Sequence, residues 1–361
     1  MRSAKYFKDN KGVVLLVTLA VISVIVAAAI ELNRRARLAL ESTAASRNRL
    51  TLMEMASSGV HIAMAILIQD KINDPPSGLD SIQEDWANPE IIDQLLAAIP
   101  FEEGKLKIKI TDELGKIQVN TVVKFPEGKE ANDPQMFLWD RFLRLLKLSD
   151  DSTDVEDPRT IVNSLKDWLD SGDDDAVTGI NGAESDYYLG LDPPYECKNG
   201  PLTDLEELVL IKGITPELYY GIEGSLGISN YMTTVFGPLA EGVNSYYTGK
   251  INLNTADLPV IAALLPTGNE TLATEIIKFR EEKSESKFIH DISNPRWYKN
   301  APGCSELEID SNLVTTFSDF FQVKATAVIE PLAVNVIAVV QRIKDKNSGK
   351  WICKVLSWRT E

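Results

Sequence analysis

Three observations on the sequence predict an α+β fold. In it a long N-terminal transmembrane helix packs on an antiparallel sheet, and a large, mostly helical insertion separates the first strands from the last. Residues 13–30 run for eighteen positions without a charge, interrupted only by Thr18 and Ser23. Residues 105–111 (KLKIKIT) alternate lysine with apolar or β-branched residues, and three more strand-like runs, 321–328, 334–343 and 351–358, lie near the other end. The roughly 190 residues between these two groups read mainly as helices.

The apolar run would span about 27 Å as a helix, close to the roughly 30 Å hydrocarbon core of a bilayer. Upstream of it Arg2, Lys5, Lys8 and Lys11 oppose Asp9, while downstream Arg34, Arg35 and Arg37 oppose Glu31 and Glu41. That asymmetry keeps the short amino end in the cytoplasm. The segment admits three readings. Ala27-Ala28-Ala29 fits a signal peptidase site; the run fits a simple uncleaved anchor; and a short basic peptide ending in Gly12, followed by an apolar helix from Val13, is similar to a type IV prepilin leader, in which the apolar stretch is retained after cleavage. Most pilins carry a glutamate five residues after the cut, where this chain has Val17.

Apolar positions recur through Leu38, Leu50, Ile62 and Ile66 with no proline before Pro75, so helix is predicted over 13–72. The stripe Met53, Ala56, Val60, Ala63 and Leu67 suits packing on a sheet or, alternatively, against a partner helix. Asn73-Asp74-Pro75-Pro76-Ser77-Gly78 ends it. Residues 105–111 and 117–123 read as a hairpin with one buried face. In the insertion, residues 137–148 and 159–169 carry helical stripes, and two weak repeats follow, 203–222 and 254–280. Each repeat reads as helix, turn and helix, with an Asn or Thr cap at its start.

Composition narrows the function. The 361 residues hold 37 Lys and Arg against 53 Asp and Glu, a net charge of −16, which opposes phosphate binding. Residues 251–266 with 276–280 are similar to a helix-hairpin-helix DNA module. Its turn, Pro266-Thr267-Gly268-Asn269-Glu270, has one glycine and an acid where phosphate would approach, so no nucleic acid partner is expected. His61 and His290 lie far apart, and Cys197, Cys304 and Cys353 show no C-x-x-C spacing, which disfavours zinc and permits one disulfide at most. No phosphate loop, nucleophile elbow or H-E-x-x-H helix is present, so the chain is not expected to be an enzyme. Trp139, Trp168, Trp297 and Trp351 read as core or interface anchors.

The negative charge is concentrated in residues 150–192, with thirteen acids against Arg159 and Lys166. Crowded carboxylates at short spacing suit Ca²⁺, which takes six to eight oxygens. Asp173, Asp175 and Glu184 occupy positions 1, 3 and 12 of an EF-hand-length loop, but Val177 and Gly179 break that template. A solvated acidic loop is the alternative.

Several stretches occur in a shared order: the leader with Gly12 and Val13, ITDELGKIQVN (110–120), DWLDSGDDD (167–175), GAESDYY (182–188), PPYECKNGPLTDLEELVLIKGIT (193–215) and INLNTA (251–256). In this order the chain resembles the general secretion pathway protein K family, the minor pseudopilin K of type II secretion, over nearly its whole length. In that family the glutamate missing at Val17 is characteristically absent. The resemblance implies a leader (1–12), the helix (13–72), a pseudopilin core with a first hairpin (73–133), an insertion domain (134–315) and the core's last strands (316–361). It implies a single-pass protein of the bacterial inner membrane, with its globular part in the periplasm, cleaved between Gly12 and Val13 and methylated by prepilin peptidase. It also implies a place at the pseudopilus tip with minor pseudopilins I and J, near secreted proteins or the outer-membrane secretin. The family binds calcium in its helical domain, which makes Asp170, Asp173, Asp175 and Glu184, with Asp186 and Asn199, the candidate ligands. Two other readings stand beside it: a secreted, calcium-stabilised soluble binding protein, and a pilus or DNA-uptake tip protein.

Overall fold

A computed structural model of the chain describes residues 11–73, 78–101, 103–147, 156–171, 177–222, 224–235 and 249–361. The first helix, α1 (Lys11–Asn73), is continuous, and residues 12–30 are exposed throughout, as an apolar segment long enough to cross a membrane should be. Gly12 and Val13 lie in its first turn.

The second half of α1 packs on a four-stranded antiparallel sheet of β1 (Lys105–Asp112), β2 (Phe320–Ile329), β3 (Leu332–Lys344) and β4 (Trp351–Thr360), in that spatial order. The helix buries Leu52, Met55, Ala56, Val60, Ala63 and Leu67 against Ile108, Phe321, Val323, Ala325, Val336 and Ala338. Met53, expected in that stripe, is instead 37% exposed, and Leu52 and Met55 flank it on the buried side. A one-residue error in placing a helical stripe rotates it by about 100°. Small residues bring helix and sheet close: a side-chain carbon on Gly59 would sit 2.9 Å from the Ala325 Cβ.

The first hairpin does not form. β1 pairs along its whole length with β2, Lys105 opposite Val328 and Asp112 opposite Phe321. Residues Ile117–Gln118 pair in parallel with Met232–Thr233, and Val119–Val122 turn as a 3-10 helix. The reason lies in burial. β1 alternates exposed and buried positions, as a strand with one wet face must, whereas Ile117, Val119, Val122 and Val123 are all buried. They enter a second core.

That second core joins α3 (Asp133–Lys147), α4 (Pro158–Leu169), α7 (Leu258–Leu264) and α8 (Leu272–Glu281), with shorter α5 (Ser185–Leu189) and α6 (Pro216–Tyr220) at its rim. Between α1 and β1, α2 (Pro89–Ala97) belongs instead to the core of the main sheet. Trp139, Phe142, Trp168, Tyr188 and Trp297 fill the insertion core. Residues Leu205–Leu210 form a 3-10 helix capped by Asp204 and Glu207, and Thr215 caps α6. The expected cap of the second repeat is different. Asn254 accepts a bond from Trp297 Nε1 at 2.7 Å and its amide donates to Thr316 O, while Thr255 donates to Asp112.

INLNTA is therefore a joint. Asp112, at the end of β1, accepts bonds from Leu114 N (2.7 Å), Asn252 Nδ2 (2.8 Å) and Thr255 Oγ1 (2.7 Å), and burial pushes its carboxyl up to about 6. A buried carboxylate needs such donors. The joint ties the sheet to the insertion. His290 stacks on Phe279 with ring centroids 3.6 Å apart, His61 bonds to Ser57 O on α1, and the three cysteines are free.

Candidate metal centre

The carboxylates of Asp167, Asp170 and Glu184 converge, with one oxygen from each within 4.8 Å of the others. Helix α4 and the residue that ends it supply two of them. Asp157 caps its start, Pro158 fixes the first turn, and Asp167 stands in its last turn. Asp170 sits just beyond the helix in extended backbone. Glu184 precedes α5, whose Tyr187 amide bonds to the Glu184 carbonyl at 2.9 Å. All three residues are buried.

Around them the chain is fixed closely. Asp167 accepts the amides of Thr178 (3.1 Å) and Ala183 (2.9 Å), and Lys166 Nζ reaches Asp170 Oδ2 at 2.6 Å and Thr178 Oγ1 at 2.8 Å. Gly182 leaves no room for a side chain, because its Cβ would lie 2.1 Å from Asp167 Oδ2. Burial raises the Asp167 carboxyl above its ordinary range despite those donors. Cys197 lies beside the cluster, and burial pushes its thiol up to about 12, with Glu184 and Asp167 adding to the rise. Trp168 and Tyr188, with ring centroids 5.0 Å apart, back the site.

The donor set fits a hard cation. Among the described residues, three buried carboxylates gather beside the Lys166 ammonium, and their oxygens are the ligands calcium takes. Of the residues expected there, the fold brings Asp170 and Glu184 together. Asp173 and Asp175 lie outside the described residues, and Asp186 is exposed on α5. Asp167 was missing from the expected set. Its place in the DWLDSGDDD stretch, three residues before Asp170, was the signal for it.

A second group, Asp70, Asp80 and Glu84, is of another kind. Arg342 donates to Asp70 Oδ2 at 3.1 Å and to Asp80, and Lys71 Nζ lies 3.4 Å from Asp80. Two fixed cations already occupy the place an ion would take.

A long helix, apolar enough over its first part to cross a membrane, docks along an antiparallel sheet, and a second core is inserted between the sheet's first two strands. Residues 115–225 match the family described as Type II secretion system (T2SS), protein K. A type II secretion system protein K from Aeromonas hydrophila is 29% identical over 58% of this chain and 60% of its own length. One from Pseudomonas aeruginosa is 26% identical over 71% of this chain and 68% of its own length. The chain thus spans about three fifths of the Aeromonas relative it matches. Among solved structures, a chain of the GspK-GspI-GspJ complex from the enterotoxigenic Escherichia coli Type 2 Secretion System aligns with a TM-score of 0.59 at 15% identity, covering 88% of this chain and 99% of that one. By these matches the chain is similar to type II secretion system protein K, the family its motifs resemble.

Proposed function

We propose that this protein is a minor pseudopilin of a type II secretion system, a non-catalytic subunit that caps or initiates the pseudopilus and so supports protein export. The observation that carries the reading is the division of labour in the fold. α1 offers an exposed apolar half for the inner membrane and a second half built into the sheet, while the insertion, with its own core, makes the subunit top-heavy. Such bulk suits a position on which no further subunit stacks. The neighbouring solved structure is a complex with GspI and GspJ, which makes the corresponding minor pseudopilins the natural partners. In this reading the amino end is cytoplasmic and both cores are periplasmic.

Asp167, Asp170 and Glu184 are proposed to hold a calcium ion that fixes the loop after α4. No reaction is assigned to it. The decisive experiment is mass spectrometry of the mature amino terminus in cells with and without prepilin peptidase. A peptidase-dependent, methylated start at Val13 is expected. A peptidase-independent start near Ile30 would instead mean a soluble exported protein.

A further inference from the structure

The two edges of the main sheet are built differently. On β1 the exposed positions are Lys105, Lys107 and Lys109, and charged side chains along an edge discourage another strand from adding. The opposite edge belongs to β4, whose main neighbours among the described residues are β3 and α1. There Ile352, Val355, Leu356 and Trp358 are 40%, 40%, 42% and 41% exposed. Four large apolar side chains within seven residues of an open edge are the reverse of protection.

They also lie where an added strand could cover them. Val355 and Trp358 stand opposite Val340 and Ala338, on the α1 face, where the Trp358 ring lies 6.2 Å from His61. Ile352 stands opposite Ile343 on the other face. The ladder to β3 shifts register between Val339 and Val340, opposite Leu356, so the edge is twisted there and offers two short pairing segments.

Charge narrows the occupant. Residues 344–361 hold Lys344, Lys346, Lys350, Lys354 and Arg359 against Asp345 and Glu361, a net +3 in a chain of −16. Part of this is answered internally, since Arg359 pairs with Glu361 at 2.7 Å. An apolar, basic strip could also suit an anionic membrane. However, α1 runs from Ile30 to its first sheet contact, Leu52, over 22 residues, which is about 33 Å of helix between bilayer and sheet.

We infer that the open edge of β4 takes an extended, acidic segment of another polypeptide as a fifth strand of the sheet. Main-chain hydrogen bonds supply the affinity, and the apolar side chains with Lys354 supply the selection. The inference does not depend on which machine the chain serves.

The test uses the full chain in detergent micelles and an eight-residue peptide of alternating Glu and Val. Its controls are the Lys-Val counterpart, the Glu-Val peptide N-methylated at alternate amides, and vesicles containing phosphatidylglycerol. Saturable binding of the Glu-Val peptide is expected, with slowed hydrogen exchange in residues 351–360 and none of this with the N-methylated form. Ile352→Lys should weaken binding about tenfold, and Lys354→Glu, which removes no packing, should weaken it about threefold, the size of one cross-strand charge pair. Equal binding of the N-methylated peptide, failure of the Glu-Val peptide to protect β4, or protection by vesicles alone would overturn the inference.

Discussion

Arg342 on β3 and Asp80 in the segment after α1 form an ion pair in which both side chains are fully withdrawn from solvent. The same guanidinium donates to Leu67 O (3.1 Å), Asp70 (3.1 Å) and Ser318 O (3.0 Å), and it lies over the Phe321 ring. One side chain thus binds the end of the long helix, two strands and the returning loop. Breaking a buried pair leaves an uncompensated charge, so Arg342→Met should cost about 3–5 kcal/mol. The double variant Arg342→Met, Asp80→Leu should lose less, because the fully buried carboxylate is removed together with its partner. Denaturant unfolding followed by Trp86 fluorescence compares them, and equal losses would mean the charges are not coupled.

Glu84 makes the same region sensitive to pH. Burial, then the nearby Asp70, raise its carboxyl from 4.5 to about 8, against bonds from Trp86 Nε1 and Ser81 N that favour the charged form. The folded state therefore holds a proton that the unfolded state releases. Stability from this group is complete below about pH 4.5 and is lost as pH rises through 8. Both Trp86 and Ser81 donate to the same oxygen, so a glutamine can keep both bonds. Glu84→Gln should be neutral at pH 5 and stabilising by about 1–3 kcal/mol at pH 8.5. Thermal midpoints at the two pH values decide it; no difference between them would show the carboxyl to be ionised throughout.

Gly182 tests the metal centre through backbone space alone. Its Cβ would meet Asp167 Oδ2 at 2.1 Å and Thr178 O at 2.8 Å, neither of which can move without breaking the loop's bonds. Gly182→Ala should weaken calcium binding at least tenfold while removing no ligand. Calorimetric titration that finds affinity unchanged would place the ion elsewhere.

What the sequence reveals and what it hides follow one physical division. Local period is legible. The eighteen-residue apolar run, the alternation of 105–111 and the strands near the carboxyl end became α1, β1, β2, β3 and β4. Partner choice is not legible, because β1 finds β2 across more than two hundred residues, while a short linker suggested residues 117–123. Only the unbroken burial of Ile117, Val119 and Val122 betrays that they leave the sheet. The same limit governs the site. Spacing along the chain points to Asp170 and Glu184, yet Asp167, in the last turn of α4, joins them because the fold brings its carboxylate beside theirs. Asn254, in a position typical of a cap, is claimed by Trp297 from 43 residues away.

The calcium reading has a direct thermodynamic consequence. An ion that binds only the folded insertion stabilises it by about 2.7 kcal/mol at a hundred times its dissociation constant. Chelation should therefore lower the melting temperature of the insertion and leave the sheet core less affected, since Asp167, Asp170 and Glu184 lie in the insertion. Asp167→Asn and Glu184→Gln should each abolish the calcium-dependent shift. In the ion-free protein both should be tolerated, because they relieve repulsion among buried carboxylates gathered beside Lys166. Asp186→Asn, exposed on α5, should keep the full shift. Differential scanning calorimetry with and without chelator separates these cases. A calcium shift that survives Asp167→Asn but disappears with Asp186→Asn would move the ion to the outer side of α5.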